Sequence, residues 1–195
     1  MQNILYYILK PIITIHFLIK YRPKIYGKEN IPKKGPIILC GNHRHTHDQH
    51  NVMIVTHRCV HYLAKDEYFK GKQAWFFKAA GCIPVNRSIH DEKAKKTAYD
   101  YLMKGGAIGI FPEGTRNKTI GTKDEVDLLP FKFGAVSLAK KTGALIVPFG
   151  IRGEYTGKDG NLTTHIGKPF SIKDMELEEA NELLRKKILN LMKKK

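Results

Sequence analysis

A histidine and an aspartate five positions apart, His43 and Asp48 in Gly41-Asn42-His43-Arg44-His45-Thr46-His47-Asp48, are a base and a carboxylate able to orient it. Some sixty residues later Phe111-Pro112-Glu113-Gly114-Thr115-Arg116-Asn117 adds an arginine suited to an anionic ligand. In a helix, at roughly 100° per residue, positions five apart point about 140° away from each other. In a strand they lie on opposite faces. If His43 and Asp48 cooperate, they therefore sit on a turn. A neutral imidazole with a carboxylate on one ring nitrogen can take a proton at the other, and the acid then stabilises the imidazolium that forms. Taken alone, Asp48 also reads as a helix N-cap.

The surrounding residues supply such a turn. Pro36 to Gly41 is a short apolar run of the kind a buried strand gives, and Val52, Met53 and Val55 suggest a helix over 48–57. Further strands are expected near 60–64, 82–85, 107–111 and 144–150, and further helices near 72–80, 90–104, 131–142 and 175–193. This alternation predicts an α/β sandwich with a largely parallel central sheet flanked by helices. In the last helix Leu177, Ala180, Leu184, Ile188 and Leu191 recur at helical spacing, a core-packing face.

Four ordered blocks resemble those of the 1-acyl-sn-glycerol-3-phosphate acyltransferases, which make phosphatidic acid from lysophosphatidic acid. His43 to Asp48 is similar to the family's His-x4-Asp motif, and Gly81-Cys82-Ile83-Pro84-Val85-Asn86-Arg87 to its Gly-x-Ile-x-x-x-Arg block. Phe111 to Arg116 matches the Phe-Pro-Glu-Gly-Thr-Arg motif without a change, and Ile146-Val147-Pro148 matches the hydrophobic-Pro block. Two positions depart from the pattern: His45 stands where the family usually has serine, and Asn86 where it often has aspartate before the arginine. The resemblance implies acyl transfer from an acyl thioester, on acyl carrier protein or coenzyme A, to the sn-2 hydroxyl of the lysolipid. His43 would be the base and Asp48 its partner. Lys65, Arg87, Glu113, Gly114, Thr115 and Arg116 would form the phosphate and glycerol site, Arg116 first because a guanidinium fork pairs two phosphate oxygens. Glu113 could meet a glycerol hydroxyl or pair with an arginine, and Gly114 suits a backbone turn. No serine or cysteine nucleophile is required, because the attacking oxygen belongs to the acceptor, and no cofactor or metal is implied.

The charge balance points to an anionic partner. In 195 residues, 34 Lys and Arg face 18 Asp and Glu, a formal net charge of +16. Basic residues follow the apolar N-terminus, at Lys20, Arg22, Lys24 and Lys28, and crowd the C-terminus, at Arg185 to Lys187 and Lys193 to Lys195. Residues 1–24 therefore read as a membrane-interface segment and 25–195 as a catalytic domain. Lys10 and Pro11 interrupt the apolar run near its centre, so the segment is expected to lie on or dip into one leaflet, at the cytoplasmic face of the cell membrane. No zinc finger, RNA-recognition signature or aromatic-interleaved basic stripe points to nucleic acid. The three cysteines, Cys40, Cys59 and Cys82, form no Cys-x-x-Cys pair and read as small core residues. Two alternatives stand beside acyl transfer: a zinc hydrolase using the His43, His45 and His47 cluster, and a noncatalytic basic lipid-binding protein.

Overall fold

The computed structural model describes residues 4–86, 89, 91–117, 127–157 and 161–194. Its centre is a seven-stranded sheet in the order β1-β7-β6-β2-β5-β3-β4. The strands are β1 (Lys24–Tyr26), β2 (Ile37–Gly41), β3 (Val60–Lys65), β4 (Ile83–Val85), β5 (Ala107–Ile110), β6 (Leu145–Arg152) and β7 (Thr163–Ile166). The helices are α1 (Ile4–Tyr21), α2 (Asp48–Met53), α3 (Ala74–Ala79), α4 (Glu92–Met103), α5 (Gly134–Thr142) and α6 (Leu177–Met192). Pairing is parallel throughout except between β6 and β7, which run antiparallel. The α/β sandwich with a largely parallel sheet is thus present. β1 and β7 are additional strands at one edge.

β2 is the axis of the sheet because every one of its residues is buried. Ile38 and Cys40 point to one face, where they join Ala98 and Leu102 of α4, Val136 of α5 and Leu184 and Ile188 of α6. Ile37 and Leu39 point to the other face and pack with Phe17 and Tyr21 of α1 and Val52 of α2. The period of two along the strand thus serves two apolar layers, the arrangement that lets a parallel strand read as a continuous apolar run. In α4 the buried Ala94, Ala98 and Leu102 recur every four residues, and Asp91 caps the helix by accepting the Ala94 N–H at 2.9 Å. The expected face of α6 is present too: Ala180, Leu184, Ile188 and Leu191 are buried, and Leu177 packs at the margin.

Pro11 does not break α1. The helix runs unbroken from Ile4 to Tyr21, because the N–H that proline lacks is a single ladder bond within 18 residues. Lys10 turns its ammonium to the carbonyl of Thr56, so its charge faces the protein. Tyr6, Phe17 and Tyr21 are buried, while Ile4, Ile8, Ile12, Ile15 and Ile19 form an outward apolar stripe, each more than half exposed. By length and composition α1 is long and apolar enough to cross a membrane. The cysteines are unpaired; Cys40 is buried and Cys59 and Cys82 half-buried.

Candidate active site

The loops that carry the chemistry all leave the carboxyl ends of parallel strands. His43 follows β2, Lys65 ends β3 and Phe111 follows β5. The chain steps from β2 past β5 to reach β3, and from β5 across β2 to reach β6, so the loops after β2 and β5 become neighbours. A crevice at such a point is where open α/β sheets bind ligands. Phe149 of β6 fills the space over Gly41, and any side chain at Gly41 would run into its ring. Asn42 then clamps the loop to β6: its amide donates to the Ile151 carbonyl at 2.9 Å and its oxygen accepts the Ile151 N–H at 2.7 Å.

His43 and Asp48 meet across the turn. His43 Nδ1 lies 2.8 Å from Asp48 Oδ2. The same oxygen accepts the backbone N–H groups of Arg44 at 2.6 Å and His45 at 2.7 Å. Asp48 begins α2, but the N-cap position belongs to His47, and the Asp48 carboxylate turns back over the loop instead of capping the helix. The N-cap expectation for Asp48 is therefore corrected, and its physical cause is the pair of upstream amides that hold the carboxylate. Asp48 is fully buried while the His43 side chain keeps 15% exposure, so the acid is dry and the base reaches the cleft. The Phe111 ring stacks on His43 at 4.1 Å and fixes the imidazole plane.

Two residues that no local sequence signal marks complete this arrangement. Tyr155, beyond β6, donates its hydroxyl to Asp48 Oδ1 at 2.6 Å, and Asn51 donates its amide to the Tyr155 oxygen at 2.7 Å. The Tyr155 phenol is held protonated, foremost by burial and then by the adjacent Asp48 charge. Both Asp48 oxygens are thus hydrogen-bonded, which keeps the buried charge stable and aimed at Nδ1.

The loop after β5 is locked to the loop after β2 by Glu113. Its Oε1 accepts the His43 N–H at 2.8 Å and its Oε2 accepts the Leu129 N–H at 2.9 Å, with the side chain 3% exposed. Burial raises the Glu113 carboxyl above the usual range, and the two backbone bonds oppose that rise. Asn117 N–H donates to the His43 carbonyl at 2.7 Å from the other end of the same segment. Gly114 adopts φ +71°, and a Cβ there would lie 2.9 Å from Lys132 Cε. Thr115 and Arg116 are exposed and line the cleft, and Arg116 makes no salt bridge with a carboxylate among the described residues. Lys65 lines the same cleft with its Nζ 2.7 Å from Glu67 Oε1. Arg87 lies outside the described residues.

The neighbouring histidine rings lie in a row, His45 5.1 Å from His47 and His47 5.2 Å from His50, and each also meets an aromatic ring. His45 stacks on Tyr155 at 4.2 Å, His47 packs at 5.6 Å from Tyr21, and His50 lies 5.5 Å from Phe17. Burial keeps all three more readily neutral than free imidazole. Among the described residues no group of three or more His, Cys, Asp or Glu side chains is arranged to hold a metal ion. The cleft itself is about 1710 Å³ and mostly apolar, with His43 and Arg116 on its wall. That is room for extended acyl chains beside one buried acid–base pair.

A parallel-sheet α/β domain with an oriented histidine in a large apolar cleft has the parts that acyl transfer needs. The chain belongs to the acyltransferase family, whose model, described as Acyltransferase, matches residues 22–152. It is 33% identical over 156 residues to the 1-acyl-sn-glycerol-3-phosphate acyltransferase of Bacillus subtilis, covering 75% of this chain and 73% of that one. It is 38% identical over 128 residues to the enzyme of that name from Borreliella burgdorferi, covering 64% and 48%, and 30% identical over 180 residues to that of Saccharomyces cerevisiae, covering 84% and 56%. The chain thus spans about half the length of these last two relatives. The crystal structure of the lysophosphatidic acid acyltransferase PlsC from Thermotoga maritima superposes with a TM-score of 0.67 at 24% identity, over 89% of this chain and 73% of that one, which establishes the shared fold. The four blocks all fall within the matched segment, whereas Tyr155 lies three residues past its end.

Proposed function

We propose that this acyltransferase moves a fatty acyl group from an acyl thioester to the sn-2 hydroxyl of 1-acylglycerol-3-phosphate, giving phosphatidic acid at the cytoplasmic face of a membrane. The observation that carries the reading is the 2.8 Å contact between His43 Nδ1 and a buried, multiply hydrogen-bonded Asp48. With Nδ1 committed to the carboxylate, Nε2 is the nitrogen left to accept a proton. In the proposed step Nε2 takes the acceptor hydroxyl proton as the oxygen attacks the thioester carbonyl. The tetrahedral intermediate then expels the thiolate, which recovers that proton from the imidazolium. Both substrates are bound together and no acyl-enzyme forms.

Arg116 and Lys65 are the phosphate cations in this scheme, with Thr115 beside them and Arg87 a third candidate. The names of the relatives support lysophosphatidic acid as acceptor. Glu113 is assigned chiefly to positioning, since both of its oxygens already accept backbone N–H groups. Residues 1–24 are the membrane-interface segment and 25–195 the catalytic domain, in keeping with the outward isoleucine stripe of α1. Acyl carrier protein and acyl-coenzyme A are both anionic and both suit the net charge of +16.

The test is an assay of the purified protein with lysophosphatidic acid and acyl donors supplied singly, the lipids identified by mass spectrometry. Phosphatidic acid should appear with at least one donor and fall on the order of a hundredfold or more with a folded His43→Ala control. Equal turnover by that control would remove His43 as the base, and product only from another lysolipid would replace the acceptor.

A further inference from the structure

After β3 the chain makes a 3₁₀ turn over Asp66–Phe69 and then the six-residue helix α3, and neither the sheet nor the acid–base pair requires what this segment displays. Trp75 is 61% exposed and Tyr68 37% exposed. The aromatic rings around them are mutually packed: Tyr68 stacks on Phe77 at 4.9 Å, and Trp75 meets Phe76 edge-on at 6.0 Å. Trp75 is therefore held outward by a supported platform. Lys70, Lys72 and Lys78 lie within five residues of it in sequence, all exposed, with Lys70 paired to Asp66 at 3.3 Å. Exposed tryptophan and tyrosine on a lysine-rich segment is the composition of a bilayer interface, where the ring sits at headgroup depth and the ammonium groups meet phosphates.

Position adds the second argument. Tyr68, Phe76 and Phe77 line the same cleft as Ile12 and Ile13 of α1 and the base His43. α1 is fastened to the start of β3, where the Tyr6 hydroxyl accepts the Val60 N–H, and the far end of β3 leads into the Asp66–Phe69 turn. The cleft is thus lined both by α1, through Ile12 and Ile13, and by the segment that carries Trp75, through Tyr68, Phe76 and Phe77. A single helix would hold the protein to a bilayer without deciding which way the cleft faces. Two separate contacts decide it.

We propose that the segment from Asp66 to Ala79 is a second membrane contact, in which Trp75 seats in the interface of an anionic bilayer and Lys72 meets its phosphates, so that the cleft opens onto the lipid between this segment and α1. The proposal rests on the reading of the cleft as a site of lipid acyl transfer, and its test measures no turnover, so that either can fail without the other. Trp75 is the sole tryptophan of the chain and reports on its own surroundings. With the full-length protein and vesicles containing phosphatidylglycerol, tryptophan emission should move to shorter wavelength and be quenched by lipids brominated high on the acyl chain. Lys72→Glu, with an unchanged far-UV circular dichroism spectrum, should lower partitioning into those vesicles roughly fivefold for each unit of charge lost. Protein that sediments with the vesicles while its emission stays at the water-exposed value would overturn the second contact and leave α1 as the whole anchor. A shift that appears without vesicles as the protein is concentrated, together with a dimer mass by light scattering, would assign the patch to a second copy of the chain.

Discussion

Asp48 shows how one side chain acquires a role from its neighbours. Its carboxylate accepts from the His43 ring, from two backbone amides and from Tyr155, and Asp48 itself is fully buried. Hydrogen bonds to a charged group contribute about 1.5–3 kcal/mol each, and together they offset the desolvation that a buried carboxylate would otherwise suffer. Tyr155→Phe removes one of these donors and leaves the ring packed against His45. The expected outcome is a fall in kcat of roughly tenfold with substrate KM values little changed, because the acid is then aimed less firmly at Nδ1. A loss seen only in thermal stability would give Tyr155 a purely structural role. Arg116 is the opposite case, an exposed guanidinium without a salt bridge among the described residues. Arg116→Lys keeps the charge and loses the fork, so the lysophosphatidic acid KM should rise and the donor KM should hold. A change confined to the donor would move Arg116 to the thioester side.

At the scale of elements, the loops after β2 and β5 behave as one unit because Glu113 and Asn117 hold the backbone of His43 from two sides. Glu113→Gln places an NH2 group where an oxygen had accepted an N–H, leaving a buried donor facing a donor at a cost of about 1–3 kcal/mol. Both melting temperature and kcat should fall. If only the acceptor KM rises, Glu113 binds glycerol and its positioning role is secondary. α1 has two distinct faces, since Phe17 and Tyr21 belong to the core while Ile12 and Ile19 point outward. Cutting away residues 1–20 would remove Phe17 along with the outward isoleucine stripe. The sharper experiment is Ile12→Asp with Ile19→Asp, which should release the protein from vesicles and leave its melting temperature nearly unchanged, each buried isoleucine contributing roughly 1.5–3 kcal/mol to insertion. Full vesicle binding by that variant would place the anchor elsewhere.

Across the whole molecule, the stability should depend on pH through the histidines packed under α1. Burial pushes His50 from 6.5 down to about 4. Above about pH 6.5 the ring is neutral in both folded and unfolded chains and contributes nothing. As pH falls from there towards 4 the unfolded chain takes up a proton that the folded chain resists, so stability erodes by an amount on the order of 3 kcal/mol and then levels off. A thermal melt series from pH 7.5 to 4 should show this decline, flattened in His50→Gln; an equal decline in the variant would assign it to other groups.

The same whole-molecule view separates what was legible in the chain from what was not. Strands β2 to β6 and helices α2 to α6 were readable because each carries a local pattern, such as the apolar run from Ile37 or the fourfold spacing of α4. β1 and β7 were not, because segments of three and four residues have too little pattern, and their register, Lys24 opposite Thr163, exists only through pairing. The extent of α2 also differed, ending at Met53 where a helix to residue 57 was expected. By itself the sequence pointed to the reaction class through the resemblance of four ordered blocks, each of them a short local run such as His43 to Asp48 or Phe111 to Arg116. Only the tertiary structure decided that Asp48 orients rather than caps, that Glu113 turns inward and that Tyr155, 107 residues from Asp48, is its hydrogen-bond donor. Those assignments depend on strand order, which brings the ends of β2, β5 and β6 side by side, and strand order is set by burial of whole faces rather than by any short run of residues.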